Sequence, residues 1–258
     1  MSTEKISILK KDTITRLLQD VKQIIKNPLT DNGIYYSHDD EDMLKGYALI
    51  IGPKDTPYYG GFYFFEIHYP ANYPYSPPHV VYCTNGENIR FNPNLYTNGK
   101  VCVSILNTWR GEQWTPCQTI TSLLLTLCTL LCKDPLLNEP GVTTSHADFD
   151  KYVKIIDYKN IDISILKIVN KSIGVYPEKF DFFYSIVKEQ FIKTSDDILK
   201  YLENKANEQQ EESIIKTGMY SMTVKINYPE LRNKYKETLK QVLSSSMSTG
   251  PDGFPDPK

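Results

Sequence analysis

The sequence predicts an α+β fold. Three observations carry that expectation: helical periodicity near the N-terminus, four aromatic and β-branched runs between positions 33 and 84, and a return to helical periodicity beyond position 115. The first run, 13–27, places Ile14, Leu17, Leu18, Val21, Ile24 and Ile25 at helical spacing, with Thr13 as candidate cap and Pro28 after its end. The strand-like runs are GIYYS, LKGYALIIG, GFYFFEIHY and HVVYCT. In the third, Tyr63, Phe65, Ile67 and Tyr69 alternate with Phe62, Phe64, Glu66 and His68. The connections are short and rich in Asp, Gly and Pro, which predicts an antiparallel meander. The proline-dense loop PANYPYSPP can be neither helix interior nor central strand, because proline lacks the N–H that both need.

Residues 85–115 show little periodicity, and a long irregular segment inside a compact domain is often functional. A helix is expected over 115–134, with Thr115 as cap and Pro116 at its first position. Beyond Ser145 the runs DFDKYVKIIDY, NIDISILKIVNKSIG, EKFDFFYSIVKEQFIK, SDDILKYLENKANEQQEE and YPELRNKYKETLKQVLSSS read as amphipathic helices. Phe180, Phe182, Phe183, Ile186, Val187, Phe191 and Ile192 are expected to pack on the core rather than form a docking face, since so much exposed apolar surface invites aggregation.

Composition narrows the function. The 258 residues hold 29 basic and 31 acidic side chains, net −2, which gives no reason to expect a nucleic-acid partner. The longest apolar stretch, 120–132, is too short for a bilayer, so no membrane association is expected. The odd total of five cysteines and the lack of a secretory signal favour free thiols in a reducing compartment, cytoplasmic or nuclear. Neither the cysteines nor the four histidines form a metal motif, so no metal is expected. Cys128 and Cys132 read as core filling on a helix.

Cys102 lies in KVCVSIL, where a small buried hydrophobe is the ordinary reading. Its surroundings point elsewhere. The block GPKDTPYYGGFYFFEIHYPANYPYSPPHV, the Pro93–Asn94 pair, Cys102 downstream of Asn94, and WTPCQTITSLLLTL follow one another in order. Together these resemble the ubiquitin-conjugating enzymes over about residues 11–157, and several independent motifs in register make the resemblance specific. It implies the UBC fold: N-terminal helix, four-stranded meander, active-site loop, then helices. The expected division is a tail over 1–10, a UBC core over 11–157, a helical extension over 158–243 and a flexible tail over 244–258.

The resemblance also implies the chemistry. Cys102 accepts ubiquitin as a thioester from a ubiquitin-activating enzyme and passes it to a substrate lysine, usually with a ubiquitin ligase. Thioester exchange requires a thiol exposed in a shallow groove. By resemblance, Asn94 stabilises the oxyanion or holds the loop that does, and Glu139 orients the incoming amine, with Asn138 a weaker candidate. Tyr75, Pro116 and Cys117 match the ligase-docking region, and Lys10, Lys11 and Arg16 the region met by the activating enzyme. ATP is consumed upstream, so no cofactor is expected. Asn92 stands where the family usually has histidine, and an amide can take over its hydrogen-bonding part. With the insert NTWRGEQW, NEPG and the extension, this resembles the branch called ubiquitin-conjugating enzyme Z. Two alternatives remain: a UBC-fold variant that only binds ubiquitin or a partner, and a carrier of another ubiquitin-like modifier.

Overall fold

A computed structural model of the protein describes residues 10–247. The expected tails therefore lie outside the described residues, except for Lys10 and residues 244–247, which continue the last helix. Helix α1 (Lys11–Lys26) buries Leu17 and Ile24 but leaves Leu18 and Ile25 exposed. Thr13 does not cap it. Lys10 holds the cap position without a side-chain bond, while the buried Thr13 hydroxyl donates to the Ala71 carbonyl and ties the helix to the proline loop.

Strands β1 (Ile34–His38), β2 (Lys45–Ile51), β3 (Phe62–His68) and β4 (His79–Tyr82) form the expected meander, antiparallel throughout and in order of sequence. The register sets Tyr35, Leu49 and Phe64 opposite one another on one face, and Tyr36, Ala48 and Phe65 on the other. A sheet with one solvated face would expose half of β3, but Phe62, Tyr63, Phe64 and Phe65 are all fully buried.

The face of Tyr35, Leu49 and Phe64 is covered by the extension. Phe180 packs 4.9 Å from Phe64 and 5.5 Å from Tyr47, ring centroid to centroid. Lys179 pairs with Glu66, and Gln190 donates to the Tyr35 hydroxyl at 3.3 Å. One hydrophobic cluster thus runs from α1 through the sheet into the extension. Of the apolar residues expected to pack there, Phe182 and Ile192 stay exposed.

Helix α2 (Ile120–Thr129) starts later than Thr115–Pro116 suggested. Thr119 caps it in a reciprocal box: its hydroxyl accepts from the Ser122 N–H, and the Ser122 hydroxyl accepts from the Thr119 N–H. Helix α3 (Phe149–Lys159) runs on into a π-helical segment, Asn160–Lys167. Asn160 accepts from the Tyr63 hydroxyl at 2.6 Å and donates to the Tyr59 carbonyl, and it reaches Gly61 so closely that a Cβ there would collide with its side-chain oxygen.

Two features of the extension depart from the expectation. The runs beginning EKFDFF and SDDILK share one long helix, α4 (Tyr184–Glu208), after a 3₁₀ segment over Glu178–Phe183. A hairpin of β5 (Ser213–Lys216) and β6 (Thr223–Ile226) then precedes α5 (Tyr228–Met247), whose first turn is capped by the Asn227 side chain.

Candidate active site

Two loops carry the candidate site, one from Arg90 to Val103 and one from Pro135 to Gly141. Asn92 organises the first. It is fully buried, and its amide nitrogen donates to the Leu130 carbonyl (2.7 Å) and the Tyr58 hydroxyl (3.2 Å). Its oxygen accepts from the Asn94 N–H at 2.9 Å. The loop is thereby tied to the end of α2 and to the segment before β3.

Asn94 is 5 % exposed and spans the chain to Cys102. Its amide nitrogen donates to the Cys102 carbonyl (2.6 Å), and its own carbonyl accepts from the Cys102 N–H (2.9 Å). In this arrangement the side-chain amide braces the loop, and its buried oxygen has no partner. Cys102 itself is 2 % exposed, against the expectation of an open thiol. One side-chain bond and one backbone bond hold Cys102 against Asn94, and Val103, Ile105 and Leu106 are buried just after it. The other interior thiols are poor nucleophiles by environment: burial pushes Cys83 up to about 11 and raises Cys128 and Cys132.

Glu139 lies half-buried on the second loop. Asn138 beside it reaches the Asn92 oxygen at 3.4 Å, so the two loops meet. One Glu139 oxygen accepts from the Tyr220 hydroxyl at 2.6 Å. The insert is rooted at both ends. Asn107 accepts from the Trp114 N–H (2.8 Å), and the Trp114 indole donates to the Pro74 carbonyl (2.6 Å).

A family model described as ubiquitin-conjugating enzyme matches residues 16–157, more than half of the chain. The chain belongs to the ubiquitin-conjugating enzyme family. Relatives named ubiquitin-conjugating enzyme E2 Z include that of Xenopus tropicalis, 36 % identical over 195 residues, covering 69 % of this chain and 61 % of the relative. The Homo sapiens protein of that name is 42 % identical over 155 residues, covering 59 % of this chain and 43 % of the relative. A probable ubiquitin-conjugating enzyme of Acanthamoeba polyphaga mimivirus is 33 % identical over 199 residues, covering 73 % and 14 %. The chain spans at most about three fifths of the length of these relatives.

The residues expected to meet partner proteins lie on the outer surface, apart from Arg16. Tyr75 is 64 % exposed, and Pro116 and Cys117 are exposed with it. Lys10 and Lys11 are exposed at the start of α1. Arg16 is instead engaged within the ubiquitin-conjugating fold. It pairs with Asp20 and donates to the Pro116 and Gln118 carbonyls at 2.6 Å each, fastening α1 to the approach to α2. Among the described residues no cluster of His, Cys, Asp or Glu could hold a metal ion, and no helix is long and apolar enough to cross a membrane.

Sequence reasoning missed Arg90 and Tyr220. Arg90 donates to the Asn92 and Pro93 carbonyls (3.1 and 2.7 Å), and its guanidinium lies 3.3 Å from the centre of the Tyr96 ring. Its place just before the Asn92–Pro93–Asn94 run was an available signal. Tyr220 had none, because its contact with Glu139 crosses 81 positions of sequence.

Proposed function

We propose that this chain is a ubiquitin carrier in which Cys102 accepts ubiquitin from an activating enzyme and yields it to a lysine. The supporting observation is the meeting of two loops, one carrying Cys102 behind Asn92 and Asn94, the other carrying Glu139. It is read with relatives whose names describe them as ubiquitin-conjugating enzymes.

The first step is a thioester exchange. The Cys102 sulfur attacks the ubiquitin carbonyl, the bond to the activating enzyme's sulfur breaks, and that sulfur leaves as a thiol. A thiol only 2 % exposed cannot reach a second protein, so Cys102 must first turn outward. In the second step a neutral lysine amine attacks the thioester carbonyl. The C–N bond forms, the C–S bond breaks, and the Cys102 thiolate takes a proton from the attacking nitrogen. The carboxylate of Glu139 accepts a hydrogen bond from the amine and orients it. Asn94 braces the loop that presents Cys102, through its bond to the Cys102 carbonyl.

Tyr75, Pro116 and Cys117 offer an exposed aromatic beside an exposed turn, a fit for a ligase. Lys10 and Lys11 offer exposed charge to the activating enzyme, while Arg16 fastens their helix to the approach to α2. A reducing compartment, cytoplasmic or nuclear, suits the free thiols.

Incubation with activating enzyme, ATP and ubiquitin tests the proposal on a non-reducing gel. The expected result is a reductant-sensitive band one ubiquitin heavier, lost in Cys102→Ala. The burial of Cys102 favours one competing reading, a holder of ubiquitin without transfer. That reading predicts binding without any such band.

A further inference from the structure

The extension reaches the loop of Glu139 through the turn of its hairpin. That turn, between β5 and β6, carries Met219, Tyr220 and Ser221. Tyr220 and Ser221 both lie in the left-handed region, at φ 58° and 49°, where non-glycine residues are uncommon and often functional. The turn is fastened to the core on its own account. The Met219 N–H donates to Asp148 (2.9 Å), and the Thr217 hydroxyl donates to the Met219 carbonyl (2.8 Å).

The result is an aromatic side chain with three contacts beside the two site loops. Its hydroxyl donates to one oxygen of Glu139 at 2.6 Å. Its ring lies 5.9 Å from that of Tyr152, and the Arg90 guanidinium sits 5.1 Å from its centre. Arg90 in turn holds the Asn92 and Pro93 carbonyls. Tyr220 thus joins the loop of Glu139 to the loop of Cys102. Burial first, and the bond to Glu139 second, raise its phenol well above the ordinary value, so it remains a donor at neutral pH.

We infer that Tyr220 is a positioning residue for lysine transfer: it fixes one Glu139 oxygen and leaves the other turned to the incoming amine. This rests on the carrier function proposed above. It gives the extension a part in the chemistry, confined to the second step. Loading of Cys102 does not use Glu139, so it does not use Tyr220.

The test compares the whole 258-residue chain with its Tyr220→Phe, Glu139→Gln and double variants. Each is charged with ubiquitin, ATP is removed, and free lysine is added over a concentration series. Phenylalanine keeps the ring contacts with Tyr152 and Arg90 and removes only the hydroxyl. Loading should keep its kcat and its KM for the charged activating enzyme, which also shows that the variant folds. Discharge at saturating lysine should fall roughly tenfold, the scale of one hydrogen bond to a charged group. The double variant should discharge no more slowly than Glu139→Gln alone, since both lose the same device. If Tyr220→Phe discharges at the wild-type rate while Glu139→Gln is slow, the inference is wrong and the carrier reading stands. Faster discharge in Tyr220→Phe would also overturn it, by making the hydrogen bond a mask over Glu139. Wild-type discharge by Glu139→Gln, or failure to load at all, would remove the underlying reading and the inference with it.

Discussion

Replacing Asn92 by alanine is expected to damage the active-site loop by an amount that its hydrogen bonds set. The amide is fully buried and makes four bonds, three of them 3.2 Å or shorter. Its loss strands the Asn94 N–H and the Leu130 carbonyl, whose residues are only 5 % and 8 % exposed. The Tyr58 hydroxyl suffers less, because it still donates to the Phe91 carbonyl at 2.6 Å. Two stranded buried groups at about 1–3 kcal/mol each give a loss of about 3 kcal/mol. For a chain of this size that lowers Tm by roughly 6–12 °C. Urea unfolding at constant m-value measures the loss directly. Charging with ubiquitin should weaken in parallel, because Asn94 loses the bond that fixes its backbone. Asn92→His, the family's usual residue, should recover only part of the loss: a neutral imidazole offers one donor and one acceptor against four bonds. A loss below about 1 kcal/mol in Asn92→Ala, with charging intact, would refute the structural part given to this amide.

Phe180→Ala should cost about 3–5 kcal/mol in the same unfolding assay, because Phe180 is fully buried against Phe64 and Tyr47. Phe182→Ala, at a site 48 % exposed, should cost well under half as much. Burial raises the Asp157 carboxyl to about 6, so the folded chain binds more protons than the unfolded one between about pH 4 and 6, and this residue's contribution to stability falls as pH rises through that window. Asp157→Asn should therefore stabilise by about 3 kcal/mol at pH 8 and far less at pH 4, read as a Tm difference against pH. Iodoacetamide should label exposed Cys117 well before Cys102 in the uncharged chain, as peptide mapping would show.

The first half of the fold was legible because its signals are local. Alternation and turn residues located all four strands to within about two residues, in an order that short connections dictate. The start of α2 was misjudged, since Thr115–Pro116 and Thr119–Ser122 are both sound helix openings in sequence, and only packing chooses the second. The hairpin at 213–226 escaped notice for a different reason. Its strands are four residues each, and its left-handed positions are Tyr220 and Ser221 rather than the glycine nearby, so the usual turn signal is absent. The site divides in the same way. Asn92, Asn94, Cys102 and Glu139 sit in recognisable motifs. The burial of Cys102 and the bond from Tyr220 depend on chain segments packed from far away in sequence, and no local pattern encodes them.

The central claim is that the Cys102 side chain carries the modifier, and Cys102→Ser tests it most directly. Serine in place of the sulfur would form an oxygen ester, a poorer donor that accumulates. After incubation with activating enzyme, ATP and ubiquitin, the account predicts a conjugate of the variant that survives thiol reductant and is cleaved by mild alkali. The wild-type conjugate should be cleaved by reductant. A wild-type conjugate that resists reductant, or one that still forms and stays reductant-sensitive in Cys102→Ser, would contradict the account.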